Sequence, residues 1–134
     1  MSEKENEDLA HRFHMDIFQK GDLAMADKIL SRDFVWRNPG LPAEMQPLRG
    51  PAGVKKMAEA IIAAFPDRKI THIDTIAKGD KVLIRWSMTG TQKREVLGKP
   101  SSNKKETVTG FDYFRIRDGK IAEMWQYFGF GQWP

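Results

Sequence analysis

The chain contains no cysteine. That excludes disulfides, thiol nucleophiles and thiolate metal sites. Its three histidines, His11, His14 and His72, include no HxxxH-type pair, so a histidine metal site would have to be assembled from distant segments. No apolar run approaches the roughly 20 residues of a membrane span. There is no G-x-G-x-x-G, no Walker lysine loop, no H-E-x-x-H and no nucleophile elbow. Neither a cofactor, a metal nor a membrane is therefore expected. The opening Met1–Asp8 is charged and polar, unlike a secretory signal. With the missing cysteine, this points to a soluble, cytoplasmic protein.

Charge is present but unevenly placed. The chain carries 22 basic and 18 acidic residues, a formal excess of +4. The segment 93–105 holds Lys93, Arg94, Lys99, Lys104 and Lys105 against Glu95, and so accounts for all of that excess. A nucleic-acid surface spreads basic residues over a face and places aromatic rings between them. This segment has Gly, Pro and Ser instead, so a solvated loop and no nucleic-acid partner are expected.

What is there reads as helices first and strands later. Within Glu7–Lys20, Leu9, Phe13 and Ile17 recur every four residues, with Ala10 and Phe18 beside them, the pattern of an amphipathic helix. His14 flanks that stripe, roughly 60° from its centre, and His11 lies further round, where exposure is expected. Gly21 stops the helix and Asp22 is placed to cap a short one over Leu23–Leu30. Asp33–Asn38 forms a strand with Phe34, Trp36 and Asn38 on one face, broken by Pro39-Gly40-Leu41-Pro42. Pro51 opens a third helix whose stripe is Val54, Met57, Ala58, Ile61, Ile62 and Phe65.

From Lys69 the chain alternates like strands. Lys69–Ala77 does so around Ile70, His72 or Ile73, and Ile76; Lys81–Thr91, Thr107–Arg117 and Lys120–Phe128 follow. Asp118-Gly119 between the last two marks a hairpin. Helices segregated from a run of antiparallel strands mean α+β. Three N-terminal helices over one face of a long, curved antiparallel sheet would enclose an apolar, cone-like pocket in a single domain, residues 1–134.

Taken in order, FVWRNP, RGPAGVKKM, GDKVLIRW and FDYFRIRDGKIAEMWQYF resemble the nuclear-transport-factor-2-like superfamily and, within it, the SnoaL-like polyketide cyclases. The resemblance implies the cone and its pocket. It does not imply one reaction, because the fold hosts cyclases, ketosteroid isomerases, epoxide hydrolases and non-catalytic scaffolds.

The inward residues divide into polar candidates and walls. Asp112 lies between Phe111 and Tyr113, on the face of Phe114 and Ile116. A carboxyl in an apolar cone loses hydration, the setting in which it becomes a proton donor or a poised base. By resemblance, its position matches the oxyanion-hole carboxyl of ketosteroid isomerases and an aspartate of limonene-type epoxide hydrolases. Gln126 shares a face with Met124 and Phe128 and stands where SnoaL-like cyclases carry an acid/base aspartate. An amide exchanges no proton at neutral pH, so Gln126 either orients a carbonyl or water, or simply packs. Asn38 matches a pocket asparagine that orients substrate or water; alternatively, it caps the turn before Pro39. His14 falls near the oxyanion-donating tyrosine of ketosteroid isomerases and would form a proton-transfer pair if it met Asp112. Otherwise it is structural. Trp36, Phe114, Met124 and Phe128 are large, inward substrate-binding walls. Trp86 joins them if it, rather than Arg85, points inward. Trp125 and Tyr127 face the other way.

The expectation is a protein that binds a small hydrophobic, carbonyl-bearing molecule. If it is an enzyme, it performs cofactor-free acid/base conversion, by cyclisation, isomerisation or hydration, with Asp112, Gln126, Asn38 and His14 as the catalytic group. The alternative is a non-catalytic ligand-binding or scaffolding protein of the same fold. A homodimer through the open, aromatic sheet face is expected as well.

Overall fold

The computed structural model describes residues 2–131. Helix α1 (Glu3–Arg12) starts earlier than its apolar stripe suggests, because Ser2 and Glu5 form a reciprocal capping box. It continues as a widened, π-helical segment over Phe13–Gln19, where the Lys20 N–H donates to the Met15 carbonyl, five residues back. Helix α2 (Met25–Ile29) is shorter than expected and has no side-chain cap, so the Asp22 carboxylate does not serve as one. Helix α3 (Gly50–Ala64) has the expected proline in its first turn and buries Val54, Met57, Ala58 and Ile61.

Six strands form one sheet in the order β2-β1-β6-β5-β4-β3. They are β1 (Leu30–Arg37), β2 (Leu48–Arg49), β3 (Lys69–Lys78), β4 (Lys81–Thr91), β5 (Lys105–Arg117) and β6 (Lys120–Phe130). The sheet is mixed, which corrects the expectation of a purely antiparallel one: β1 runs parallel to β6. The long crossover between them allows this, since a parallel pair needs a connection of a dozen residues or more. The β5–β6 hairpin turns at Asp118 and Gly119, both with positive φ (52° and 75°), as a two-residue hairpin turn requires.

Alternation places the inner face of the three long strands correctly. Ile84, Asp112 and Gln126 are cross-strand neighbours, as are Val82, Phe114 and Met124. Trp86 points inward and is buried, while Arg85 lies on the opposite face. Trp125 lies on the outer face, edge-on to the Tyr113 ring, and Tyr127 is exposed there.

Strand β3 departs from simple alternation. Its pairing with β4 shifts between His72 and Asp74, leaving Ile73 as the extra residue. Ile70 and His72 face inward before the bulge, Thr75 and Ala77 after it. Ile73 and Ile76 are left 45% and 61% exposed, so the expectation of Ile76 on the inner face is corrected.

Helix α1 and its extension run antiparallel along β3 and are tied to it at both ends. Near the N-terminus, Asn6 Nδ2 donates to the Gly79 carbonyl and Glu3 accepts from the Gly79 N–H. At the C-terminus, Gln19 accepts from the Ile70 N–H and donates to the Arg68 carbonyl. The Arg68 guanidinium donates to the carbonyls of Phe18 and Gln19, satisfying acceptors that a helix end leaves open. These ties fix the height at which His11 and His14 meet the sheet.

Gly110, inside β5, makes room for the wall. A Cβ there would lie 2.6 Å from Trp86 Cζ2 and 2.6 Å from the Tyr127 carbonyl oxygen. One contact is ring and the other backbone, so neither can move aside freely. Gly110→Ala should lower stability by about 1–3 kcal/mol, read from chemical denaturation; a variant as stable as wild type contradicts this packing.

Candidate functional site

Between the helices and the inner sheet face lies a cavity with about 650 Å³ of empty space, its open mouth included. Its walls are nearly all apolar, with Phe13, Phe18, Met57, Ile61 and Phe65 on the helical side and Met88, Val108 and Phe128 on the sheet side. The polar side chains among the lining are His14, Asp112 and Gln126, together with the indoles of Trp36 and Trp86.

Asp112 has no exposed surface. A buried carboxylate without a partner is strongly disfavoured. His14 supplies that partner across the cavity: its Nε2 lies 2.5 Å from Asp112 Oδ2. An ionised carboxylate only accepts, so it is the Nε2 proton that donates. Asp112 is thus half of a buried Asp–His pair rather than a solitary acid. Its second oxygen, Oδ1, is buried with no partner among the described residues.

The other ring nitrogen of His14 is also engaged. Nδ1 lies 2.7 Å from Nε2 of His72 on β3. His11, one turn before His14, stacks on the His72 ring with centroids 4.7 Å apart, and its Nε2 meets Thr75 Oγ1 at 2.9 Å. The expectation that His11 is exposed is corrected: it is half-buried against β3. The three histidines, two on the helix and one on β3, are one cluster. The His72 contribution was not foreseen. Its only local signal was inward parity at the start of an alternating strand.

Gln126 is held in one orientation. Its Oε1 accepts from Trp36 Nε1 at 3.1 Å and from Asn38 Nδ2 at 2.9 Å. Turning the amide over would set its NH₂ against two donors, so the network assigns the flip. The Nε2 group has no protein partner among the described residues, and Gln126 lines the cavity. Its N–H donors are thereby fixed in direction. Asn38 caps the turn, its Oδ1 accepting from the Gly40 N–H at 2.8 Å, and its Nδ2 is spent on Gln126. It reaches the cavity only through Gln126. Phe114 and Met124 are fully buried in the core and are not among the residues that line the cavity, whereas Trp36, Trp86 and Phe128 are.

The basic segment is less free than its composition suggests. Lys99 Nζ donates to Gln92 Oε1 at 3.0 Å, pairs with Glu106 at 2.9 Å and lies over the Phe130 ring. Leu97, from the same loop, forms part of the cavity wall.

Burial, followed by the neighbouring His14 and His11, pushes His72 down from the ordinary imidazole value to about 4, against an upward pull from Asp112. Burial also lowers His11. A histidine harder to protonate in the folded than in the unfolded chain stabilises the fold above its unfolded value, and that contribution is lost as pH falls. The denaturation midpoint should therefore decline between about pH 6.5 and about pH 4, and His72→Phe should flatten the decline. An unchanged slope in the variant contradicts this reading.

A family model described as SnoaL-like polyketide cyclase matches residues 8–130. No curated protein matches the chain. Among solved structures, wild-type IdmH from Streptomyces antibioticus, a candidate polyketide cyclase, is 28% identical with a TM-score of 0.75; the match covers 92% of this chain and 91% of that one. A candidate polyketide cyclase from Acidithiobacillus ferrooxidans is 26% identical with a TM-score of 0.78, covering 96% and 91%. An NTF2-like protein from Burkholderia xenovorans, 21% identical, shares the fold with a TM-score of 0.73, covering 96% and 92%.

Proposed function

The chain belongs to the SnoaL-like polyketide cyclase family, and from that premise we propose that its cavity binds a small, hydrophobic, carbonyl-bearing molecule and converts it by acid/base chemistry that needs only the protein's own side chains. The observation that carries this reading is the Asp112 carboxyl. One of its oxygens is held at 2.5 Å by His14 and the other has no partner among the described residues.

In such a conversion each polar group has one task. Gln126 Nε2–H donates to the carbonyl oxygen and stabilises charge as it develops there. Asp112 takes a proton from the carbon beside the carbonyl. His14, donating to Oδ2, steadies the carboxylate, and Asp112 later returns the proton from Oδ1 to the ligand. Gln126 has no exchangeable acid and cannot replace Asp112. The proton transfer that SnoaL-like cyclases assign to the position of Gln126 is therefore moved across the β5–β6 pair to its cross-strand neighbour, Asp112. The apolar walls suit a flat, largely unsaturated skeleton better than a sugar or phosphate.

The amide at Gln126 also favours a second reading, a binding protein of the same fold that holds such a ligand without turnover. Trp36 and Trp86 line the cavity, so ligand entry is readable by intrinsic fluorescence. Titration with a panel of flat aromatic ketones should quench it saturably. For a ligand that is turned over, Asp112→Asn and His14→Gln should each lower kcat by about 10²–10⁴-fold with binding nearly unchanged. Saturable binding with no conversion of any ketone favours the second reading, and no binding contradicts both.

A further inference from the structure

The Asp112–His14 pair does not end at His14. His14 Nδ1 faces His72 Nε2 at 2.7 Å, and His72 is only half-buried. The outer nitrogen of His72, Nδ1, has no hydrogen-bond partner among the described residues, yet it is not among the atoms shut away from water. The chain of contacts therefore runs from a carboxyl with no exposed surface, through two imidazoles, to a nitrogen that water reaches at the α1–β3 seam. An imidazole can accept a proton on one nitrogen while releasing another from the second.

We propose that His72 is the proton relay of the site, carrying protons between solvent and the buried Asp112–His14 pair while the cavity is closed by its ligand. The proposal rests on the acid/base reading above and adds a residue and a route to it. With Asp112 ionised, His14 carries its proton on Nε2, so its Nδ1 accepts from the Nε2–H of His72. The resting tautomers then point inward. A proton from water binds His72 Nδ1, the Nε2 proton of His72 passes to His14 Nδ1, and the Nε2 proton of His14 passes to Asp112 Oδ2. One proton enters and one is delivered, with no other bond formed or broken. Reversing the same steps exports a proton.

The surroundings fit this assignment. The ionisable groups packed on His72 are His14 and His11 from the helix, and the Asp112 charge acts on it from the sheet. His72 remains neutral at neutral pH, which leaves it able to accept on one side and donate on the other. His11 is a positioning residue: it stacks on the His72 ring and is itself tied to Thr75. The bulge at Ile73 turns Thr75 inward to make that tie.

The test needs no substrate. In ¹⁵N-histidine-labelled protein, the imidazole proton shared by His14 and Asp112 can be followed by NMR, and its exchange with water measured by saturation transfer. His72→Gln retains an N–H donor for His14 but cannot pass a proton; His72→Phe removes both. The relay predicts that both variants slow this exchange by about tenfold or more, with the amide spectrum otherwise preserved. If His72 only orients His14, the Gln variant exchanges as fast as wild type, which overturns the proposal. Wild-type exchange rates in both variants overturn it as well. If His72→Phe fails to fold, the Gln variant alone decides. A failure here leaves ligand binding and the effects of Asp112→Asn untouched, so it is distinguishable from failure of the acid/base reading.

Discussion

A carboxyl with no solvent contact at the centre of a sheet demands a partner, and much of this molecule is arranged to provide one. Asp112 sits on the middle of β5, flanked by β4 and β6, where no neighbouring strand supplies a cation. Its partner has to come from the layer above. That fixes the height of the N-terminal helix, which is tied to Gly79 at one end and to the Arg68–Ile70 segment at the other. A buried, half-partnered carboxyl is a costly feature for stability alone, and its position beside an apolar cavity is what gives it chemical interest.

Around that pair the polar groups have opposite roles. Gln126 is saturated at its oxygen and open at its nitrogen, so it presents one donor of fixed direction. Asp112 is engaged at one oxygen and open at the other. A donor and an acceptor, facing each other across β5 and β6 in an apolar setting, suit a ligand with a carbonyl and an acidic C–H beside it. The same fold serves several reactions, and in this chain the distribution of acid and amide between the two strands is what separates it from the usual cyclase pattern.

The parts legible in the sequence are those governed by short-range periodicity. Alternation put Asp112 of β5, Gln126 and Phe128 of β6 and Trp36 of β1 on the inner face, and Asp118-Gly119 marked its hairpin. Where the period breaks, the reading fails. The Ile73 bulge changes parity inside β3, which is why neither His72 nor Ile73 stood out as the inward residue and why Ile76 was misplaced. The parallel β1–β6 pairing is set by a crossover that no local pattern encodes. His72 joins His14 through contacts 58 residues apart, and His11 becomes half-buried only because β3 lies beneath it. Such pairings depend on how two elements dock, and a helical wheel sees only one of them.

The most direct test of the central claim is a crystal structure of the protein soaked with a flat aromatic ketone that quenches its fluorescence. The account predicts the carbonyl oxygen about 2.7–3.2 Å from Gln126 Nε2, with the neighbouring carbon against the free oxygen of Asp112. A ligand bound with its carbonyl turned away from Gln126 and Asp112, or a Gln126 amide that has turned its oxygen into the cavity, would contradict it.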